Sequence, residues 1–344
     1  MDILRIPGLL LEFVVYIVTI LPPYLDDILI FTTPIALGGL CGVLCERSGV
    51  VNIGIEGIML MAAFFAYLTG FLLHESLGQL PALIMGVVVG VLVGVLMGII
   101  HGWLSISVRA DQIIAGVFLN VLALGLTAYL NRLIISASGR GGAGLLPKFS
   151  VPDAIVDVPI IGPLIGMFFN QGPIGMSLLV LVVGLQILLF RSRWGLRTRA
   201  VGEHPKAADT VGIDVLRLRY MNVIAGCALA GLAGAFLVLE QNGQFQNGMT
   251  NGRGFIALAA VIFGRWTPVG AFLGALLFGA VFEIQLIVGV APPAGDLGAI
   301  LRSIPNQWYA ALPFVITIIV LAGVVGRSIP PAADGVPYEK EARA

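Results

Sequence analysis

The chain has 344 residues, 19 basic and 19 acidic side chains, and no net charge. Hydrophobic residues make up 58% and charged residues 11%, against about 25% charged in soluble domains, and mean hydropathy is +1.01. So few ionised groups cannot cover soluble surfaces. The balanced charge excludes a nucleic-acid binder, which carries a basic excess, and none of the three lysines, Lys148, Lys206 and Lys340, follows a glycine, so no Gly-Lys phosphate loop is present.

A membrane-crossing helix needs about 20 apolar residues. In chain order, 81–104, 112–131, 175–190, 220–239, 266–282 and 303–326 contain no Asp, Glu, Lys or Arg. Shorter or punctuated apolar stretches are 6–21, 28–45, 50–73 and 254–264. The expected fold is all-α, a polytopic transmembrane bundle of about ten segments (eight to ten). The first apolar run has no small-residue cleavage site and ends at Pro22-Pro23, unlike a cleaved signal. Segment 254–264 is too short to cross alone and reads as spanning or re-entrant, the latter tolerated only inside protein or beside a cavity.

Loop 191–219 holds Arg191, Arg193, Arg197, Arg199, Lys206, Arg217 and Arg219. The positive-inside rule places it in the cytoplasm. Ten crossings then leave both termini cytoplasmic and loop 136–174 outside, with 14 basic residues inside and five outside. The expected organisation is a transmembrane body over 1–327 and a flexible tail over 328–344, whose Pro, Ala and mixed charge read as disordered.

Glycine occurs 45 times. Gly86, Gly90, Gly94, Gly98 and Gly102 share one helix face at a spacing of four, and Gly270, Gly274 and Gly279 are similar. Such stripes let helices approach closely in lipid, for static packing or for sliding during a transport cycle. Ser138 to Gly144 is glycine-rich but opens no nucleotide-binding unit and reads as flexible loop. Cys41, Cys45 and Cys227 lie in apolar stretches. They form no CxxC pair or Cys/His cluster in sequence, so they read as packing and no metal site is expected.

Charged groups at membrane depth are costly and need a partner or a wet cavity. Glu12, Glu56 and Glu283 qualify. Asn52 and Glu56 are four apart; together they suit either polar ring edges and sugar hydroxyls or an interhelical clamp. Asn120, Asn131 and Gln112 can line a pathway or join helices, and His101 reads as packing. Asn52, Glu56, Asn120 and Glu283 are the pathway candidates. The residues present no triad logic and no basis for enzymatic catalysis.

Within the basic loop, Pro205 suits a first helical turn and Gly212 a left-handed C-terminal cap. The spacing predicts a short helix over Lys206 to Val211, a rigid knob or an ordinary basic loop. The run Lys206-Ala207-Ala208-Asp209-Thr210-Val211-Gly212 resembles the EAA-type motif of ATP-binding cassette (ABC) importer permeases, with Lys206 in place of the Glu. Arg199-Ala200-Val201-Gly202-Glu203-His204-Pro205, with Ala207-Ala208 and Gly212-Ile213, is more similar to permeases for nucleosides and simple sugars. Glu46-Arg47-Ser48-Gly49-Val50-Val51-Asn52-Ile53-Gly54-Ile55-Glu56-Gly57, and Gly254 through Gly264-Arg265-Trp266, resemble the nucleoside branch in particular.

The resemblance covers roughly 28–325. It implies an inner- or plasma-membrane importer subunit that forms half of a pathway with a second, related permease. A cytoplasmic ATPase would bind ATP and Mg, so this chain itself needs no cofactor. An extracytoplasmic protein would deliver substrate. Gly202, Glu203, Pro205, Ala207, Ala208, Asp209 and Gly212 would couple to the ATPase through a helix at about 205–213. Alternatives are an ABC importer for a monosaccharide and an ion-coupled secondary transporter.

Overall fold

A computed structural model describes residues 6–135, 144–156, 158, 161–290, 292–293, 295–319 and 328–339. Most of the glycine-rich stretch 138–144, the end of the last apolar segment and the two chain ends lie outside the described residues. Among those described, all regular structure is helical. The helices are α1 (Ile6–Ile20), α2 (Leu25–Arg47), α3 (Ile55–Leu77), α4 (Gln79–Gly102), α5 (Gln112–Leu130), α6 (Asp153–Val156), α7 (Ile161–Phe169) and α8 (Pro173–Arg191). There follow α9 (Arg193–Glu203), α10 (Pro205–Thr210), α11 (Val215–Phe236), α12 (Arg253–Phe263), α13 (Pro268–Val290), α14 (Gly295–Ser303) and α15 (Asn306–Ile319).

Seven helices among the described residues are long and apolar enough to cross a membrane: α2, α3, α4, α5, α8, α11 and α13, some extended by a short terminal turn. This is a polytopic helical membrane protein. The expected segments 6–21, 254–264 and 303–326 are represented by the shorter α1, α12 and α15. The 11 residues of α12 reach about 16 Å at 1.5 Å per residue, half of a hydrocarbon core of about 30 Å.

The chain packs as two compact units whose boundaries fall inside α2 and α13. The first comprises 1–32, 149–171 and 276–326. In it, Phe31 and Phe282 stack with centroids 6.1 Å apart. A Cβ on Gly279 would fall on Thr32 Oγ1 and lie 2.7 Å from the Ile28 carbonyl. The Gln171 amide donates to the Asp26 and Met167 carbonyls at 2.9 and 3.0 Å.

The second unit comprises 33–148, 172–275 and 327–344. Its centre is α3, α4 and α11, and the α4 glycine stripe is the reason they fit. A Cβ on Gly90 would sit 3.0 Å from Ala235 Cβ, one on Gly94 would strike the Cys227 carbonyl, and one on Gly98 would lie 2.7 Å from Cys227 Cβ. The opposite face of α4 leaves Val88, Leu92 and Leu96 exposed, as a lipid-facing surface requires. Farther along, Gly38 and Gly42 of α2 meet Ala257 and Val261 of α12, and Gly274 of α13 meets Ala260. Close backbone approach, which the glycine spacing predicts, is what the packing uses.

The tail differs from the flexible segment expected over 328–344. Residues 328–339 are strapped to the second unit. Ala333 N–H donates to the Gly202 carbonyl at 2.8 Å, Ala332 N–H to Glu203 Oε2 at 3.1 Å, and Arg219 to the Val336 carbonyl at 2.9 Å. Arg109 and Glu339 pair at 2.7 Å. Tyr338 is buried with Val201, Ala208, Val215 and Leu218. Its Pro, Ala and charged composition misleads because the partners that order it lie far away in sequence.

Gly94→Ala should cost about 1–3 kcal/mol, the usual penalty for overpacking. Gly125→Ala, whose Cβ would meet nothing within 4 Å, should be neutral. Thermal unfolding of the two variants in detergent distinguishes a packing stripe from incidental glycine.

Candidate functional site

Two helices break inside the second unit, and the sequence-selected polar residues converge on the break. Helix α2 ends at Arg47 and α3 starts at Ile55; Val50 to Gly54 between them are non-helical and mostly buried. A buried backbone that leaves the helical ladder must find other partners. Val51 N–H donates to Gln112 Oε1 at 2.7 Å, and the Val51 carbonyl lies 3.0 Å from His101 Nε2. A carbonyl can only accept, so His101 carries its proton on Nε2 there. Asn52 Oδ1 accepts from Gly54 N–H at 3.0 Å. Asn120 bridges the start of α3, donating to the Ile53 carbonyl at 3.0 Å and accepting from Gly57 N–H at 2.7 Å.

Glu56 closes a second gap. Its Oε1 and Oε2 accept from Gly252 and Gly254 N–H at 2.8 and 2.7 Å, at the N-terminus of α12. The first N–H groups of a helix have no partner in their own ladder, and the helix dipole favours an anion there. Close approach demands glycine at 254, where a Cβ would lie 2.6 Å from Glu56 Cα. At the other end of α12, Arg265 and Trp266 have φ of 50° and 53°, the sparsely populated left-handed region. Arg47 donates to the carbonyls of Trp266 and Arg265 at 2.7 and 3.1 Å, and the Trp266 indole donates to Glu46. The segments Glu46 to Gly57 and Gly252 to Trp266 are thus pinned together at both ends.

Asn52, Glu56 and Asn120 each bond backbone groups at these breaks, the contacts that the clamp reading of Asn52 and Glu56 requires. Glu283 belongs to the first unit and is buried there. Glu240 was not singled out by sequence, because it follows an uncharged run as though at a span end. It is buried and accepts from Ile174 and Gly175 N–H at 2.6 and 3.1 Å, capping α8 as Glu56 caps α12. Asn131 pairs with Asn247 at 2.9 Å.

The three cysteines, read from sequence as packing, meet in space. The sulfurs of Cys41, Cys45 and Cys227 lie within 4.8 Å of one another. Cys41 and Cys45 share a face of α2; the third thiol arrives on α11, a pairing that spacing along the chain cannot show.

The basic loop forms the expected knob. Pro205 opens α10 at its first turn, Gly212 has φ +84°, and Gly212 and Ile213 N–H donate to the Asp209 and Ala208 carbonyls at 3.0 and 3.1 Å. The seven coupling candidates divide by orientation. Gly202 and Glu203 hold the strap, and Ala208 is buried beneath the knob. Ala207 and Gly212 are exposed, Pro205 and Asp209 half-buried, and Val211, not among the candidates, is 76% exposed. Burial pushes the Asp334 carboxyl, in the strap, up to about 7, with Arg219 opposing.

A bundle of apolar helices with a short helical knob on its basic loop defines a multi-pass membrane protein. A family model described as the permease component of the branched-chain amino acid transport system matches residues 24–321, and the chain belongs to that family. It is 37% identical over 332 residues to the guanosine ABC transporter permease protein NupQ of Bacillus subtilis (strain 168), covering 95% of this chain and 99% of the relative. It is 34% identical over 315 residues to the nucleoside ABC transporter permease protein NupC of Lactococcus lactis subsp. cremoris (strain MG1363), 91% of this chain and 96% of the relative. Over 308 residues it is 35% identical to the putative glucose ABC transporter permease protein TsgC13 of Haloferax volcanii, 86% and 89% of the two chains.

Glu56→Ala leaves two helix-terminal N–H groups unpaired and should cost about 3 kcal/mol; Glu56→Gln, keeping one acceptor, should fall between. Thermal unfolding reads the loss. A pathway-lining Glu56 would instead alter uptake with stability intact. The strap should respond to pH. Asp334 has its carboxyl raised from 3.8 when docked, so docking is strongest below about 4 and weakens as pH rises through about 7. Protease cleavage of the strap should accelerate over that interval in the native chain and stay flat in Asp334→Asn.

Proposed function

We propose that this chain is a permease subunit of an ABC importer for nucleosides, in a bacterial inner or plasma membrane. The observation that carries the reading is the end-to-end identity with NupQ, named for guanosine. The knob at 205–213 agrees with it, since a mechanically driven permease needs a stiff projection for its motor. In this reading a cytoplasmic ATPase binds ATP and Mg and grips the exposed face of α10 at Ala207, Val211 and Gly212. A second, related permease completes the pathway, and an extracytoplasmic protein delivers substrate. Asn52, Glu56 and Asn120 shape the pathway indirectly by fixing the helices around it.

The topology proposed has both termini cytoplasmic. The distribution of basic residues supports it, and so do the contacts of residues 328–339 with Gly202, Glu203 and Arg219 of the basic loop. A monosaccharide is the second reading, favoured by the similarity to TsgC13. Family membership favours ATP drive over the ion-coupled alternative.

The test is uptake by the reconstituted complex of this chain with its ATPase, partner permease and delivery protein. Labelled guanosine should accumulate with ATP, be displaced by unlabelled nucleosides, and withstand excess ribose or glucose. Displacement by sugar alone would select the second reading. Val211→Glu should abolish both uptake and substrate-stimulated ATP hydrolysis while leaving thermal stability unchanged, because the side chain is exposed. Normal uptake in that variant would remove the knob from the coupling path.

A further inference from the structure

The chain's three cysteines meet at one point, each without solvent exposure, and no step of the transport reading uses them. We propose that Cys41, Cys45 and Cys227 form a three-sulfur site for a soft divalent d10 cation, of the zinc, cadmium and mercury class, with Asn52 as its outer-sphere N–H donor.

The geometry is close to that of a coordinated ion. Metal–sulfur bonds of about 2.3 Å around a trigonal centre place the sulfurs about 4.0 Å apart. These sulfurs lie within 4.8 Å of one another, so each pair need close by less than about 1 Å to match that spacing. Two ligands come from one face of α2, which fixes their separation, and the third from α11. Soft thiolate ligands select such metals over oxygen-seeking ones.

The surroundings are polar in the sense a thiolate site needs. Asn52 Nδ2 lies 3.3 Å from Cys227 Sγ and 3.8 Å from those of Cys41 and Cys45. Its oxygen is turned away onto Gly54 N–H, which fixes which end of the amide faces the sulfurs. Three alanines would fill an apolar niche without drawing a side-chain amide to it. Donors held against the ligand atoms orient and stabilise them.

Loading breaks three S–H bonds, forms three metal–sulfur bonds and releases three protons, with no change of oxidation state. A divalent ion leaves one net negative charge opposite the Asn52 N–H group, whereas a monovalent ion would leave two. Asn52 belongs to the non-helical segment Val50 to Gly54, which side chains rather than a helical ladder hold in place. A bound ion would then tie α2 to α11.

The experiment is a Cd2+ titration of the full-length chain in lipid nanodiscs, followed by sulfur-to-cadmium charge-transfer absorption and by proton release. Saturation at one ion per chain is expected, with three protons released. Cys227→Ala should abolish the saturating band, and Asn52→Ala should weaken binding by about 10–100-fold, as outer-sphere losses do. Cadmium X-ray absorption on the unaltered protein should read three sulfur neighbours, which keeps the test decisive if a cysteine variant fails to fold. No saturable band, oxygen or nitrogen ligation, or an unchanged titration in Cys227→Ala would each overturn the site.

Discussion

The second unit depends on one constraint: a backbone that leaves the helix inside an apolar bundle has no water to bond to. Each unpaired N–H or carbonyl there costs free energy, so every break must be closed by a side chain that reaches across from another helix. Gln112, His101, Asn52 and Asn120 close the α2–α3 break; Glu56 closes the start of α12 and Glu240 the start of α8. These polar side chains therefore each complete backbone hydrogen bonding at a break. Their placement also explains the glycines beside them: at Gly57, Gly172 and Gly254, a Cβ would collide with the very group that closes the gap.

The same clamps unite the two sequence blocks that carry the resemblance to nucleoside permeases. Glu46 to Gly57 and Gly254 to Trp266 are separated by nearly 200 residues in the chain, yet each end of one is bonded to an end of the other. Arg47 and Glu46 hold the turn after α12, whose two left-handed non-glycine residues would otherwise be unfavourable. Glu56 holds the start of the helix. An 11-residue helix too short to cross a bilayer is in this way fixed at both termini by a single neighbouring segment.

The legible parts of the sequence were those with local causes. Uninterrupted apolar runs marked the long helices. A spacing of four marked the α4 glycines, and the Pro205 to Gly212 pattern located the knob. What stayed hidden needed long-range geometry. Asn52 and Glu56 were visible as unusual polar residues, but whether they faced substrate or backbone depended on partners at 120 and 252–254. Cys227 joined Cys41 and Cys45 only through the packing of α11 on α2. The strap read as disorder because of its Pro, Ala and mixed charge, whereas Tyr338 finds its apolar pocket on 201–218.

The strap bears on how a six-residue helix could transmit force. Isolated helices shorter than about 12 residues are marginal in water, so α10 cannot be stiff by itself. Its rigidity is borrowed. Ala208 is seated in a cluster with Val201 on α9, Val215 and Leu218 on α11, and Tyr338 on the strap, while Gly202 and Glu203 bond the strap from the preceding turn. Movement imposed on Ala207 or Val211 is then delivered to α9 and α11 as a body rather than absorbed by bending the knob. In the proposed reading the motif divides accordingly: exposed positions would meet the ATPase, and buried ones would convert contact into displacement. Ala208→Glu therefore tests the mounting of the lever, since it drives a carboxylate into the cluster, whereas Val211→Glu tests its grip.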